Sequence, residues 1–350
     1  MHILVLTPGF PQNEKDSSCH PAMQDYFKAL LIEHPAIKLS IISIHYPFKK
    51  TPHIWQGIKV YNCGGKSRKY PLKFFYLLRA ISYSLKINKE LNVNIIHSFW
   101  LSDTALLGSI LGKFFKIKNI CTLMGQDAMK GNIYFKILSL NNIIKVTLSE
   151  YQSKYYINST GNKPNYIIPW GMNNIEITKN NRPIDIIGVG SLISNKNYKL
   201  FIKIISKLKI EYPLINCLLI GDGKQKSELL EIIKMEKLCN NITLMGQLPR
   251  EKVLSKMMES KVLLHTSNYE SFGLVILEGL VSGCYIVSKN VGIAKKNKKI
   301  LIFKNIDDAL HLIKEIITNP HEFNPENPYP IKDTVSSYMQ LYKKYSVYKG

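Results

Sequence analysis

Residues 262–283, VLLHTSNYESFGLVILEGLVSG, decide how the rest of the chain is read. A short apolar run, Val262 to Leu264, ends at His265, a length and composition that suit a buried strand. Thr266-Ser267-Asn268-Tyr269 form a polar turn that leads to Glu270. A helix is expected from about Ser271, because Leu274, Val275, Ile276, Leu277, Leu280 and Val281 give it an apolar body. Ser271 is a suitable N-cap, and Gly273 lets a ligand approach the backbone. The amides of Phe272, Gly273 and Leu274 would then point out of a helix N-terminus, a ready place for a phosphate. Glu278 lies inside this helix. Eight steps at ~1.5 Å each put it at most about 12 Å from Glu270. That span roughly matches a hexose and a ribose joined across a diphosphate. One carboxylate could accept from sugar hydroxyls and the other from ribose hydroxyls. The plainer alternative is that Glu278 is solvated or ion-paired.

Working outward, the same strand–turn–helix unit recurs along the chain. Strands are expected at 2–7, 37–45, 93–98, 118–123 and 143–147, with helices over 20–34, 71–91 and 101–115. A second array has strands at 184–190, 216–221, 242–245, 261–265 and 284–288. Its helices fall near 196–211, 223–237, 249–259 and 271–282. Alternation of this kind implies parallel sheets covered on both faces, an α/β class. Residues 169–183, with Pro169, Gly171 and Pro183, break the pattern and are read as a linker. The expected organisation is a Rossmann-like domain at 1–168, the linker 169–183, a second Rossmann-like domain at 184–330, and a helix in 331–350 that packs back on the first domain. Ligands of open α/β sheets bind beyond the carboxyl ends of the strands, so two facing sheets would place a cleft between the domains.

Composition narrows the classes. The 350 residues are 45% hydrophobic, enough for two cores, and no solenoid-type repeat is visible. Nothing approaches the ~18 uninterrupted apolar residues of a membrane span. The first residues, MHILVLTP, lack the basic start of a secretory leader. Six scattered cysteines suit reduced thiols in a cytoplasmic protein, and no His/Cys cluster or Asp-x-Asp element suggests a metal. The net charge of +22 favours anionic partners, although a lysine-rich surface is the bland explanation. The basic residues are dispersed and form no recognised nucleic-acid module, so no specific nucleic acid is expected.

The segment Glu270-Ser271-Phe272-Gly273, Leu274 to Leu277, Glu278 resembles the Glu–seven–Glu signature of retaining glycosyltransferases of the GT-B fold, especially glycosyltransferase family 4. The surrounding order is similar too. Gly188-Val189-Gly190-Ser191 followed by Lys196 resembles that family's grip on the donor diphosphate. Ile220-Gly221-Asp222-Gly223 resembles its next strand end, and Met245-Gly246 the segment near the nucleotide base. Pro169-Trp170-Gly171-Met172 resembles its hinge, and Gly283 its small-residue turn. Two departures stand out. The family usually has Arg where this chain has Ser191, which would leave the phosphate charge to Lys196 with neighbouring Lys199. Its His-Gly-x-Asp element reads Met124-Gly125-Gln126-Asp127 here, without the imidazole.

The resemblance implies transfer of a sugar from a UDP- or GDP-sugar, with no cofactor beyond that substrate, to a glycan or lipid-linked acceptor with retention of configuration. Envelope polysaccharide or lipopolysaccharide synthesis is the implied setting. The catalytic roles fall to Glu270, Lys196 and Asp127. Donor binding falls to Gly190, Ser191, Gly246, Ser271, Phe272, Gly273, Leu274 and Glu278. The acceptor side falls to the long loop after the first strand, with Gly9 and His20, and to His97. For His20, His97 and His265 a structural, hydrogen-bonded role is the alternative. Residues 66–90 combine Lys66, Arg68, Lys69, Lys73, Arg79, Lys86 and Lys89 with Phe74, Phe75, Leu78 and Tyr83. Such a helix can lie on an anionic membrane face, or it can be a core helix with a solvated basic face. The rival functions are a catalytically degenerate binding protein and a GT-B sugar-nucleotide epimerase.

Overall fold

The computed structural model describes residues 1–66, 73–138, 143–176, 181–295, 298–319 and 322–346. Arg68 and Lys69, and the side chain of Lys73, fall outside the described residues. The chain divides into two compact units: Met1–Met172 with Tyr329–Gly350, and Asn173–Pro328.

The first unit runs β1 His2–Gly9, α1 Pro21–Glu33, β2 Lys38–Tyr46, β3 His53–Trp55, β4 Ile58–Asn62, α2 Lys73–Leu91, β5 Ile95–Phe99, α3 Asp103–Phe115, β6 Asn119–Thr122, α4 Tyr134–Ile137, β7 Ile143–Thr147, α5 Glu150–Thr160 and β8 Tyr166–Ile167. Its strands pair in the order β3-β4-β2-β1-β5-β6-β7-β8. Every pairing is parallel except β3 with β4. These two strands, which the sequence reading lacks, form a hairpin closed by Gln56 and Gly57, both at positive φ (47° and 76°). A two-residue turn of that hand matches strand twist, but Gln-Gly is a weaker signal than Asn-Gly.

The second unit runs β9 Ile184–Val189, α6 Tyr198–Glu211, β10 Cys217–Ile220, α7 Lys226–Met235, β11 Ile242–Gly246, α8 Arg250–Met258, β12 Ser260–His265, α9 Leu274–Val281, β13 Tyr285–Ser288, β14 Ile300–Ile302 and α10 Ile306–Thr318. The order β11-β10-β9-β12-β13-β14 is parallel throughout. This is the doubly wound order of a dinucleotide fold, and the order reverses between β9 and β12. Ile186, Phe201, Ile205, Leu219, Val262 and Leu264 fill the core on one face of the sheet.

The last helix, α11 Ile331–Tyr345, belongs to the first unit. Val335, Tyr338, Leu341 and Tyr342 recur at helical spacing and are buried there. The hydroxyl of Tyr338 bonds Thr122 Oγ1 at 2.9 Å, and that of Tyr342 meets the Tyr26 hydroxyl at 2.8 Å. Residues 169–183 are tied down at both ends. Trp170 is buried against Tyr26 and Phe99, and a Cβ on Gly171 would meet Pro330 O at 2.6 Å. In the second unit, the buried Arg182 guanidinium donates to the carbonyls of Met257, Ser260, Ser282 and Phe323.

Candidate active site

The loops after β9, β10, β12 and β13 interlock at the carboxyl edge of the second sheet, beside its switch point. Gly190 and Gly221 make this possible. A Cβ on Gly221 would stand 1.9 Å from Gly190 O, and Gly221 itself sits at φ 153°. Leu192 N donates to Asp222 O at 2.9 Å, which fixes the β9 loop on the β10 loop. Asn268 N donates to Asn195 O at 2.8 Å, Asn195 Nδ2 to Tyr269 O at 2.9 Å, and Thr266 Oγ1 to Lys196 O at 2.8 Å. Three bonds therefore lace the β9 loop to the β12 loop, and together they aim one side chain from each at the other.

Those side chains are Lys196 and Glu270. Lys196 Nζ lies 2.5 Å from Glu270 Oε1, and both side chains are largely enclosed, 18% and 15% exposed. His265 Nε2 stands 3.3 Å from the same oxygen. Burial alone would raise the Glu270 carboxyl, but His265 and Lys196 outweigh it and bring it down to about 2. Burial lowers the His265 imidazole, against the pull of Glu270, so the ring is neutral near pH 7. The result is a fixed carboxylate flanked by a cation and a neutral imidazole.

The helix after Glu270 starts later than the sequence suggests. It begins at Leu274, with Gly273 as its N-cap at φ 86°. The left-handed turn into the helix needs a glycine, so Ser271 is not the cap. Phe272 is buried, and its carbonyl accepts from Ile293 N at 2.8 Å, which joins the β13 loop to the site. Among the described residues, the Gly273 and Leu274 amides take no backbone acceptor. They are the outward donors of this helix start.

Glu278 sits one turn into α9 and is nearly buried. Its Oε1 accepts from Arg250 Nε at 2.7 Å. Arg250 opens α8, directly after the loop that follows Gly246, so it ties the β11 edge of the sheet to the second carboxylate. No local sequence signal marks Arg250, because the pairing joins residues on different elements. Gly246 O accepts from Gly221 N at 2.9 Å, so Gly246 lies at the same edge, and Ser191 is exposed there. Lys199 does not join the site. It lies on α6 and forms an ion pair with Glu228 on α7.

In the first unit, Gly9 and His20 are brought together at the carboxyl end of β1. A Cβ on Gly9 would stand 3.4 Å from His20 Nε2. The His20 ring packs on Trp100 with centroids 4.6 Å apart, and burial pushes its imidazole down to about 4. Trp100 directly follows β5, and the sheet order reverses between β1 and β5. His20 and Trp100 both hold positive φ (51° and 68°), a cost that persists only where the surroundings enforce it.

Two expectations need correction. His97 does not face a ligand. It is fully buried in β5, with Nδ1 at 2.6 Å from the Tyr342 hydroxyl and Nε2 at 2.8 Å from Thr122 Oγ1. Nδ1 thus helps dock α11 and Nε2 is taken by β6, and burial holds the imidazole near 3. Asp127, expected to share the catalytic role, has both carboxylate oxygens taken by backbone amides. Burial raises its carboxyl, opposed by the amides it accepts from, namely Leu101 at 2.8 Å, Gly125 at 2.7 Å and Met124 at 3.2 Å. The carboxylate ties the loop after β5 to the loop after β6.

Residues 173–327 match the family described as glycosyl transferases group 1. That segment is almost the whole second unit, so the group 1 match coincides with the Lys196–Glu270 and Arg250–Glu278 pairs. An uncharacterized glycosyltransferase of Methanocaldococcus jannaschii is 25% identical over 257 residues, 70% of this chain and 71% of that protein. Among solved structures, sucrose-phosphate synthase of Thermosynechococcus elongatus superposes with a TM-score of 0.76 at 13% identity, over 98% of both chains. Anabaena HepE, solved in complex with UDP and glucose, gives a TM-score of 0.66 at 14% identity, over 99% of this chain and 95% of that one. At such identities the likeness shows the fold. It is the GT-B fold, with two Rossmann-like units and a parallel sheet in each.

Proposed function

We propose that the protein is a glycosyltransferase that moves a sugar from a UDP- or GDP-sugar to a glycan or lipid-linked acceptor, with retention of anomeric configuration. Its setting is envelope polysaccharide or lipopolysaccharide synthesis on the cytoplasmic side of the membrane. The observation that carries this reading is the enclosed Lys196–Glu270 pair at the switch point of a doubly wound sheet, with a second paired carboxylate, Glu278, on the helix that follows. Similarity to group 1 glycosyl transferases over the same segment supports it, as does the UDP and glucose held by one protein of the same fold.

In this reading the diphosphate rests on the amides of Gly273 and Leu274, with Lys196 turned towards it. Gly190 and Ser191 line its approach, and Gly246 lies on the side of the base. Positive charge fixed at the leaving oxygen stabilises the nucleoside diphosphate as it departs. Glu270, ionised at all working pH values, orients the donor sugar and favours the positive charge that develops at its anomeric carbon. The departing phosphate takes the acceptor proton on the same face, so no strong base is required of the protein. Glu278, steadied by Arg250, accepts from the ribose hydroxyls. Gly9 and His20 lie on the acceptor side.

The test is release of nucleoside diphosphate from a panel of donors. Turnover that disappears in Glu270→Ala and Lys196→Ala supports the reading. Ser191 in place of the family's Arg favours one rival, a donor-binding protein without catalysis. Tight donor binding with no turnover for any acceptor would establish that rival instead.

A further inference from the structure

The first unit carries an unusual block of charge. From His34 to Lys89 the sequence holds eleven Lys and Arg and no Asp or Glu, which is half of the chain's +22. Part of this block folds into one surface. Lys49 and Lys50 follow the carboxyl end of β2, Lys66 follows β4, and α2 packs beside them. Tyr83 of α2 donates to Lys50 O at 3.1 Å, Arg79 donates to Cys63 O at 2.5 Å, and Lys66 Nζ sits 5.6 Å over the Phe48 ring.

The same surface exposes large apolar groups. Tyr76, Ala80, Ser84 and Ile87 form the buried stripe of α2. Away from that stripe, the first turns of the helix present Phe74 (57% exposed), Phe75 (64%) and Leu78 (45%). Phe48 is 57% exposed on the adjoining loop. Exposed apolar residues occur elsewhere on the chain, but here three of them cluster on the solvent side of the first two turns of one helix. No helix among the described residues is long and apolar enough to cross a membrane, so an apolar occupant would be met at the surface.

We propose that Phe48, Phe74, Phe75 and Leu78, framed by Lys49, Lys50 and Lys66, dock this unit on the surface of an anionic lipid bilayer. The rings enter the boundary between headgroups and acyl chains, and the lysines face the acidic headgroups. Charge complementarity selects this occupant. A second copy of the chain would bring the same basic block against itself, with no carboxylate in the block to answer it. The patch also adjoins the acceptor-side loop, because the Tyr46 hydroxyl donates to Asp16 Oδ2 at 2.8 Å. If the transferase reading holds, docking brings that loop to an acceptor carried in the bilayer; the docking itself does not depend on that reading.

The experiment is co-sedimentation of the full chain with phosphatidylcholine vesicles, with and without phosphatidylglycerol, over a range of salt. A chain of +22 will bind acidic vesicles weakly whatever its surface, so the deciding variant keeps the charge. Phe74→Ser with Phe75→Ser should weaken binding to the acidic vesicles by on the order of tenfold or more, since each ring loses its buried area in lipid. Lys49→Gln with Lys50→Gln should flatten the salt dependence. Both pairs are exposed, and an unchanged melting temperature checks that they fold. Binding by the Phe variant equal to that of the original chain overturns the proposal, as does no preference for acidic over neutral vesicles. A dimer that the Phe variant dissolves, with no vesicle binding by the original chain, overturns it in favour of self-association. Stabilisation by nucleoside diphosphates, read in parallel on the same variants, reports on the donor site alone, so either reading can fail without the other.

Discussion

Replacing Glu270 with Gln keeps the shape of the side chain and removes its charge. Lys196 is then left enclosed beside a neutral His265, with no anion to meet it. The magnitude follows from the carboxyl itself, which falls from its ordinary 4.5 to about 2 in the folded chain. At ~1.36 kcal/mol per pH unit that is about 3 kcal/mol, and the residual exposure of the pair trims it to about 2–3. Spread over a unit of this size, it should lower the melting temperature by about 4–12 °C. The sign with pH is fixed by the direction of the shift. A carboxyl held below its unfolded value stabilises above pH 4.5, and the gain fades as pH falls towards 2. His265 acts in the same sense, because a buried neutral imidazole costs stability once the unfolded chain takes up a proton below about 6.5. The assay is thermal unfolding of the original chain, Glu270→Gln, Lys196→Met and the double variant at pH 7 and pH 3. The difference between the original chain and Glu270→Gln should be largest at pH 7 and fall to roughly half or less of that value at pH 3, where the unfolded carboxyl is protonated but the folded one, held near 2, is not yet. The double variant should lose about 2 kcal/mol less than the single losses summed, the signature of a coupled pair. A single variant within about 0.5 kcal/mol of the original, or strictly additive losses, would refute the reasoning.

Other outcomes follow from the same geometry. Arg250→Met removes the guanidinium that steadies the nearly buried Glu278 carboxylate and should weaken nucleoside diphosphate binding about ten- to a hundredfold, with Arg250→Lys recovering part of it; titration calorimetry reads the effect. Asp127→Asn should cost about 1–3 kcal/mol of stability through the amides it abandons, while nucleoside diphosphate release per folded molecule stays unchanged. Tyr342→Phe removes the hydroxyl shared by His97 and Tyr26, and chemical denaturation should show a loss of about 1–3 kcal/mol in the first unit.

Much of the fold can be read from the chain because its parallel strands are short, nearly continuous apolar runs. Ile184–Val189, Ser260–His265 and Tyr285–Ser288 each lie within one residue of the stretches that periodicity marks. The hairpin of β3 and β4 escapes such a reading because its strands are short and part polar and its turn is Gln-Gly. At the site, spacing alone brings Glu270 and Glu278 into view, since both flank or lie on one short helix. What spacing cannot carry is the partner across the fold. Arg250 and Lys196 meet their carboxylates only when separate elements pack, and the pairings are tertiary. Burial misleads in the other direction. His97 and Asp127 stand in or just after strands, where ligand residues are often found, yet their polar atoms are consumed by a tyrosine, a threonine and backbone amides. Ser271 looks like an N-cap by type, but the chain enters α9 through a left-handed residue, and only Gly273 takes that conformation without strain.

The most direct measurement is the thermal stabilisation of the full chain by UDP and GDP, repeated in Lys196→Ala and Glu278→Ala. One of the two should stabilise the original chain by about 2.7 kcal/mol at ~100 times its dissociation constant, and both substitutions should sharply reduce that gain. No stabilisation by either nucleotide, or an equal gain in the substituted chains, would mean that these loops do not hold an activated sugar.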